Sequence, residues 1–298
     1  MNKLVLIDGN AILHRAFHAM PPLNTKNGEP INAVHGFVSM LLKVVIDLKP
    51  THIAVAFDEK EKTFRQKELP SYQAQRPPTA TELESQFGKT RDFLKTAKIA
   101  VYSKGGYEAD DLIGTIAKKF KDGEVVIVTG DRDILQLIDD NIKLYMPIVG
   151  LSNAKLFGVP ETIERMGVPP KLIPDYKGLV GDASDNYFGI PGVGPKTAIN
   201  LLNEYGSFDE IIKNISNMTG KVKEKLEKGK DSGKLSYKLA QIIINVPVDI
   251  DFDEMSKWKL DSNDVIDLFV NNFGFKTLTE RIKKVGKQIE QEKQGSLF

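Results

Sequence analysis

The sequence predicts an α/β fold, a mostly parallel central sheet flanked by helices, with a helical region after it. Three observations carry this. Short runs rich in valine and isoleucine, at residues 4–7, 53–57 and 125–128, suit strands buried on both faces. Amphipathic helical patterns separate them, at about residues 33–48, 82–96 and 109–120. From about residue 168 the strand-like runs give way to helical patterns punctuated by glycine.

Residues 4–7 form the first strand. In the helix that follows, His35, Ser39, Lys43 and Asp47 recur every four residues, which marks one polar face and rules out a membrane span there. Residues 99–101 and 142–145 are weaker strand candidates. Residues 59–81 fit no compact layer. Lys60, Lys62, Arg65, Lys67 and Arg76 are interleaved with Phe64 and Tyr72 and broken by Pro70, Pro77 and Pro78. An ordinary surface loop and a basic functional excursion are the two readings, and a long irregular insertion favours function. Residues 221–238 hold seven lysines against three acids, which fits a solvated helix face or a patch that tracks a duplex. Residues 259–284 resume a helical apolar pattern beside a buried Trp258, and residues 286–298 are polar until a final Leu-Phe.

Composition narrows the function. With 41% hydrophobic and 27% charged residues in 298, the chain can bury an ordinary core, which excludes a disordered tail, a coiled coil and a collagen-like fibre. The absence of cysteine excludes disulfides, thiolate zinc sites and a cysteine nucleophile. The opening MNKLVLIDGN carries no secretory signal pattern, so a cytoplasmic location is expected. Net charge is +1, yet setting aside the nine acids discussed next leaves 31 acids against 41 bases. A compact acidic site on a basic body suits a metal centre that handles a polyanion.

Asp8, Asp58, and the pair Asp131 and Asp133 each follow a predicted strand. In an open parallel sheet the ligand crevice lies at those strand ends. Gly105 and Gly106 then open a helix with Glu108, Asp110 and Asp111 in its first turn. Capping explains any one of these acids. It does not explain the set, whose members would repel by several kcal/mol without cations between them. Oxygen-only ligation selects magnesium or manganese over zinc. His14 and His18 have zinc-pair spacing but lack the accompanying glutamate, so they are expected to be structural. Asp182 and Asp185 form a third acidic cluster, just before the glycine turn 189–194 and Pro195, Lys196 and Thr197. That turn fails as a nucleotide P-loop. It reads as a helix-hairpin-helix that grips duplex phosphates through Gly192, Gly194, Lys196 and Thr197.

The ordered motifs LIDGN, AVAFD, GGYEADD, VTGDRD, LVGDASDN and GIPGVGPKTA resemble the bacterial 5′→3′ exonuclease and flap endonuclease family, including the N-terminal nuclease domain of bacterial DNA polymerase I, over roughly residues 1–285. The resemblance implies a PIN-like nuclease core at 1–167 with a helical arch at 59–91. It also implies a helix-hairpin-helix region at 168–285 and a flexible tail at 286–298. It implies two Mg²⁺ or Mn²⁺ ions, the first held by Asp8, Asp58, Glu108 and Asp110. The second would be held by Asp110, Asp131, Asp133 and Asp182, with Asp111 and Asp185 as outer ligands. Arg65 and Arg76 would stabilise transition-state charge, Arg15 would contact DNA, and Tyr72 would stack on a frayed base. A potassium ion at the hairpin is a further implication.

Gln73 stands where the family commonly has a lysine assigned to the scissile phosphate, with Lys62 or Lys67 as alternative donors. Gln73→Lys is therefore expected to raise the single-turnover cleavage rate, and an unchanged or slower rate would count against the assignment. Gln294, Leu297 and Phe298 resemble the bacterial sliding-clamp peptide. The implied activity is cleavage of flapped, nicked or gapped DNA, including RNA primer ends, by a stand-alone, monomeric, nucleoid-associated nuclease. Two other readings are a catalytically weak junction-binding factor recruited by the clamp, which Gln73 favours, and a ribonuclease of the wider acidic class.

Overall fold

The computed structural model describes residues 2–149 and 153–295. The first half alternates: β1 (Asn2–Asp8), α1 (Gly9–Ala19), α2 (Asn32–Leu48), β2 (His52–Ala56), α3 (Phe64–Glu68), α4 (Thr81–Thr96), β3 (Ala100–Tyr102), α5 (Ala109–Lys119), β4 (Gly123–Val128), β5 (Ile142–Val149) and β6 (Asn153–Phe157). The sheet order is β3-β2-β1-β4-β5-β6, parallel until β6 returns antiparallel to β5. All the expected strands are present. β6 was not legible, because its sequence NAKLF is largely exposed and lacks a buried apolar run.

Alternation along β1 shows why these runs are strands. Leu4 and Leu6 pack with α5, whereas Val5 and Ile7 pack with α1, α2 and α4, so both faces are dry. The strand order reverses between β1 and β4, which opens a crevice at the carboxyl ends of those two strands.

The second half is helical: α6 (Val159–Met166), α7 (Ile173–Val180), a short hairpin of β7 (Gly181–Asp182) and β8 (Tyr187–Phe188), α8 (Pro195–Tyr205), α9 (Phe208–Lys213) and α10 (Gly220–Ala240). Pro195 opens α8 at its first turn, and Gly192 in the preceding turn has φ +79°, a conformation that disfavours other side chains. This half joins the α5 face of the sheet. The chain then crosses back. Trp258, Leu260, Phe269 and Ile282 pack with α2 and α4, and the Trp258 indole donates to the Thr51 carbonyl at 3.2 Å. The final helix, Lys276–Gly295, includes most of the stretch expected to be a tail. Leu297 and Phe298 lie outside the described residues. No helix among the described residues is long and apolar enough to cross a membrane.

The excursion at 59–81 is a basic crossing over the crevice, with α3 inside it and α4 as its descending leg. Buried Leu83, Phe93 and Leu94 fix α4 to the core. Fully buried Gln86 ties it further. Its Oε1 accepts from the Ala33 and Val34 N–H groups at 2.7 and 3.3 Å, and its Nε2 donates to Asn32 Oδ1 and the Glu82 carbonyl, both at 3.0 Å. α2 has no side-chain cap from its own N-cap residue, Ile31, so Gln86 supplies one from the arch.

Candidate metal centre and nucleic-acid cleft

A cleft of about 660 Å³ opens at the switch point, lined by Asp8, Asp58, Glu108, Asp110, Asp131, Asp133 and Asp185, with Arg76 and Tyr72 from the arch. Asp8 closes β1 and caps α1, accepting from Ala11 N–H at 2.9 Å. The next residue must be small, since a Cβ on Gly9 would lie 2.4 Å from the Phe57 ring. Asp58 follows β2 and accepts from Ala109 N–H at 2.7 Å, which ties that strand end to the start of α5. Asp131 accepts from Asp133 N–H at 2.8 Å.

Crowding is electrostatically costly. Burial, then the Asp58 and Asp131 charges, push the Asp8 carboxyl up to about 7 despite its hydrogen bonds. Glu108 is raised to about 7, first by burial, with Asp111 and Asp58 adding to it against Arg65. Asp110 is held well above the usual range by burial and by Asp131, Asp8, Asp133 and Glu108. Oxygen donors alone, packed until they resist ionising, fit hard divalent cations.

Basic side chains are more intimate with the acids than the sequence suggested. Arg65 is 3% exposed, and each of its N–H groups is used. Nε donates to the Leu239 carbonyl at 2.9 Å. Nη1 donates to Glu108 Oε2 and Asp111 Oδ2 at 3.1 and 2.8 Å. Nη2 donates to Asp111 Oδ1 and the Gln241 carbonyl at 2.9 and 2.7 Å. Asp111 is fully buried and also accepts from the N–H groups of Glu108 and Ile243. Arg65, expected to stabilise transition-state charge, and Asp111, expected as an outer ligand, are bonded to each other here. Both have spent their hydrogen-bonding capacity joining the arch, α5 and the end of α10.

Tyr72, expected to stack on a flipped or frayed base, packs inside the protein here. It is 4% exposed and stacks on Tyr187 at 6.2 Å, so no base can reach its ring in this conformation. Its hydroxyl donates to Asp185 Oδ2 at 3.0 Å. Gln73 Nε2 and Arg76 Nη2 donate to Asp185 Oδ1 at 3.1 and 2.5 Å. The arch thus rests on the 182–186 loop. Arg76 stays half-exposed at the cleft. Arg15 lies near Gly130, beside the β4 end of the crevice. His14 also lines the cleft, and burial holds its imidazole below the usual value.

Two residues outside the sequence reading also bond these acids. Thr129, fully buried, donates to Asp8 Oδ2 at 2.8 Å and accepts from Asp131 N–H at 3.1 Å, orienting two acids at once. Its signal was its place inside VTGD. Lys177 on α7 is 7% exposed and bonds Asp133, and Asp182 at 2.5 Å. Its signal was a lysine in the otherwise apolar stretch KGLV. Asp133, Asp182 and Asp185 each present a carboxylate oxygen within 4.8 Å of the others. Across the hairpin, Lys225 of α10 donates to the Gly192 carbonyl at 2.7 Å, while Lys196 is exposed at the start of α8.

Carboxylates gathered at the switch point of an α/β sheet, beneath the basic segment 59–81, suit divalent-metal chemistry on a phosphodiester. The comparisons name the family. Residues 3–167 match the 5′-3′ exonuclease N-terminal resolvase-like domain, and residues 168–263 match the 5′-3′ exonuclease C-terminal SAM fold. DNA polymerase I of Bacillus subtilis is 40% identical over 97% of this chain and 33% of its own length. The chain thus spans about a third of such polymerase relatives. A 5′-3′ exonuclease of Aquifex aeolicus is 37% identical over the whole of both chains. The bacteriophage T5 D15 flap endonuclease, in a complex with DNA and metal ions, shares the fold at 19% identity, with TM-score 0.67 over 96% of this chain and all of that one. The chain belongs to the 5′-3′ exonuclease family.

Proposed function

We propose that the protein hydrolyses a phosphodiester bond near the 5′ end of a flapped, nicked or gapped DNA strand, RNA primer ends included. The convergence on one cleft of Asp8, Asp58 and Asp131, from the ends of β1, β2 and β4, with Glu108 and Asp110 from the start of α5 carries this reading. In the proposed assignment Asp8, Asp58, Glu108 and Asp110 hold one Mg²⁺ or Mn²⁺, and Asp110, Asp131, Asp133 and Asp182 the other. Asp185 is an outer partner. Such a pair, when bound, supplies an activated water and stabilises the leaving 3′ oxygen.

The chain's own residues do the rest. Thr129 fixes the Asp8 carboxylate and the Asp131 backbone N–H. Arg76, at the cleft mouth, orients the phosphate once it leaves Asp185. The turn at 189–194 and the start of α8 hold duplex phosphates through backbone N–H groups, with Lys196 and Thr197 beside them. Arg15 extends the DNA path along the crevice. Potassium at the hairpin, clamp binding through Gln294, Leu297 and Phe298, and action as a monomer in the cytoplasm complete the proposal.

The test is cleavage of a 5′-labelled double-flap DNA with Mg²⁺, with Mn²⁺ and with EDTA. Cutting near the junction is expected with either metal and not with EDTA. Asp131→Ala is expected to cut at least about 10²–10³-fold more slowly. Tight junction binding without cutting in either metal would replace this proposal with the junction-binding factor. The Gln73 side chain bound to Asp185 is the observation that favours that second reading.

A further inference from the structure

The Asp133, Asp182 and Asp185 oxygens already have partners of the chain's own. Lys177 bonds the first two, and Tyr72, Gln73 and Arg76 bond the third. Lys177 stands apart from the arch residues, because it is buried on α7 and cannot swing away with the arch. Its neighbours along the helix are buried too: Asp175, Gly178 and Leu179. From this geometry we infer that Lys177 is a resident cation of the second ion position, competing with the divalent ion for Asp133 and Asp182 and making that ion the weaker of the two.

The physical reason is simple. A buried carboxylate pair needs a positive charge, and an ammonium supplies one where a metal would bind. Without the ion, Lys177 stops Asp133 and Asp182 from repelling each other. With the ion, the ammonium must give way or share its acceptors, and that requirement lowers affinity. A strut that merely positions the two acids would have the opposite effect, since its removal would weaken metal binding. This inference rests on the two-ion reading above.

The experiment is Mn²⁺ binding to the full chain without DNA, by calorimetry and by the spin-resonance signal of free Mn²⁺. Wild type is compared with Lys177→Met. Wild type is expected to bind two ions of unequal affinity. In the variant the weaker site is expected to tighten at least tenfold while the tighter site is unchanged. Should Lys177→Met not fold in EDTA, Lys177→Gln carries the same expectation, because its amide keeps hydrogen bonds without charge. An unchanged or weakened second site overturns the inference and leaves the two-ion reading standing. No Mn²⁺ bound by wild type overturns both. If neither variant folds in EDTA and Mn²⁺ does not restore them, the lysine is a strut and the inference falls.

Discussion

Arg65→Met is expected to lower the free energy of unfolding by about 3–5 kcal/mol, the usual cost of breaking a buried ion pair from one side. The guanidinium joins Asp111 by two hydrogen bonds, at 2.8 and 2.9 Å, and Asp111 has no exposure through which to recruit water. Removing Arg65 leaves that carboxylate with only the N–H groups of Glu108 and Ile243. It also orphans the Leu239 and Gln241 carbonyls. Thermal melting in EDTA measures the loss. The double variant Arg65→Met, Asp111→Leu is expected to recover much of it, since no unpaired charge stays behind. A native melting temperature for Arg65→Met with slow cleavage would instead return Arg65 to the charge-stabilising role that the resemblance implies.

Metal-free protein is expected to lose stability as the pH rises from about 5.5 to about 8, with Mg²⁺ restoring it at the upper end only. The sign follows from the carboxyls. Asp8 is raised from 3.8 to about 7, Glu108 from 4.5 to about 7, and Asp133 from 3.8 to about 6. Burial is the largest cause for each. Between the unfolded and folded values the fold holds protons that the unfolded chain has released. Stability from these groups is thus greatest below their unfolded values and falls as pH climbs through 6 to 7. Ionising this crowded set therefore works against the fold. A divalent cation removes the cause by stabilising the ionised forms. Melting curves at both pH values, with EDTA and with Mg²⁺, measure this. Equal stabilisation by Mg²⁺ at both would sink it.

Much of this molecule can be read from its residues, for physical reasons. Residues 4–7, 53–57 and 125–128 stand out because a strand dry on both faces must be apolar throughout. Once those strands are placed, Asp8, Asp58 and Asp131 can only emerge at one edge. The gaps concern satisfaction rather than location. Arg65 looks like any arginine of a basic loop, and nothing local reveals that residues 174 and 176 positions away consume its donors. Tyr72 reads as a free stacking surface because its partner Tyr187 is equally remote in sequence. Lys177 hid for the same reason, with one of its acceptors 44 residues upstream. The acids therefore looked unmatched, though Arg65, Arg76 and Lys177 neutralise several of them.

The Gln86 attachment limits how far the arch can open. Gln86 holds one foot of the arch by capping α2, and Arg65 holds the other by its bonds to Asp111, Leu239 and Gln241. Releasing either foot strands buried polar groups at a cost of about 1–3 kcal/mol apiece. Movement is therefore confined to the strap between them, roughly residues 69–80, which carries Pro70, Pro77 and Pro78. At about 3.3 Å per residue its full contour is near 40 Å. That contour, a property of chain length alone, sets the widest aperture the cleft can offer. Inserting or deleting residues there would resize the doorway while leaving every carboxylate in place.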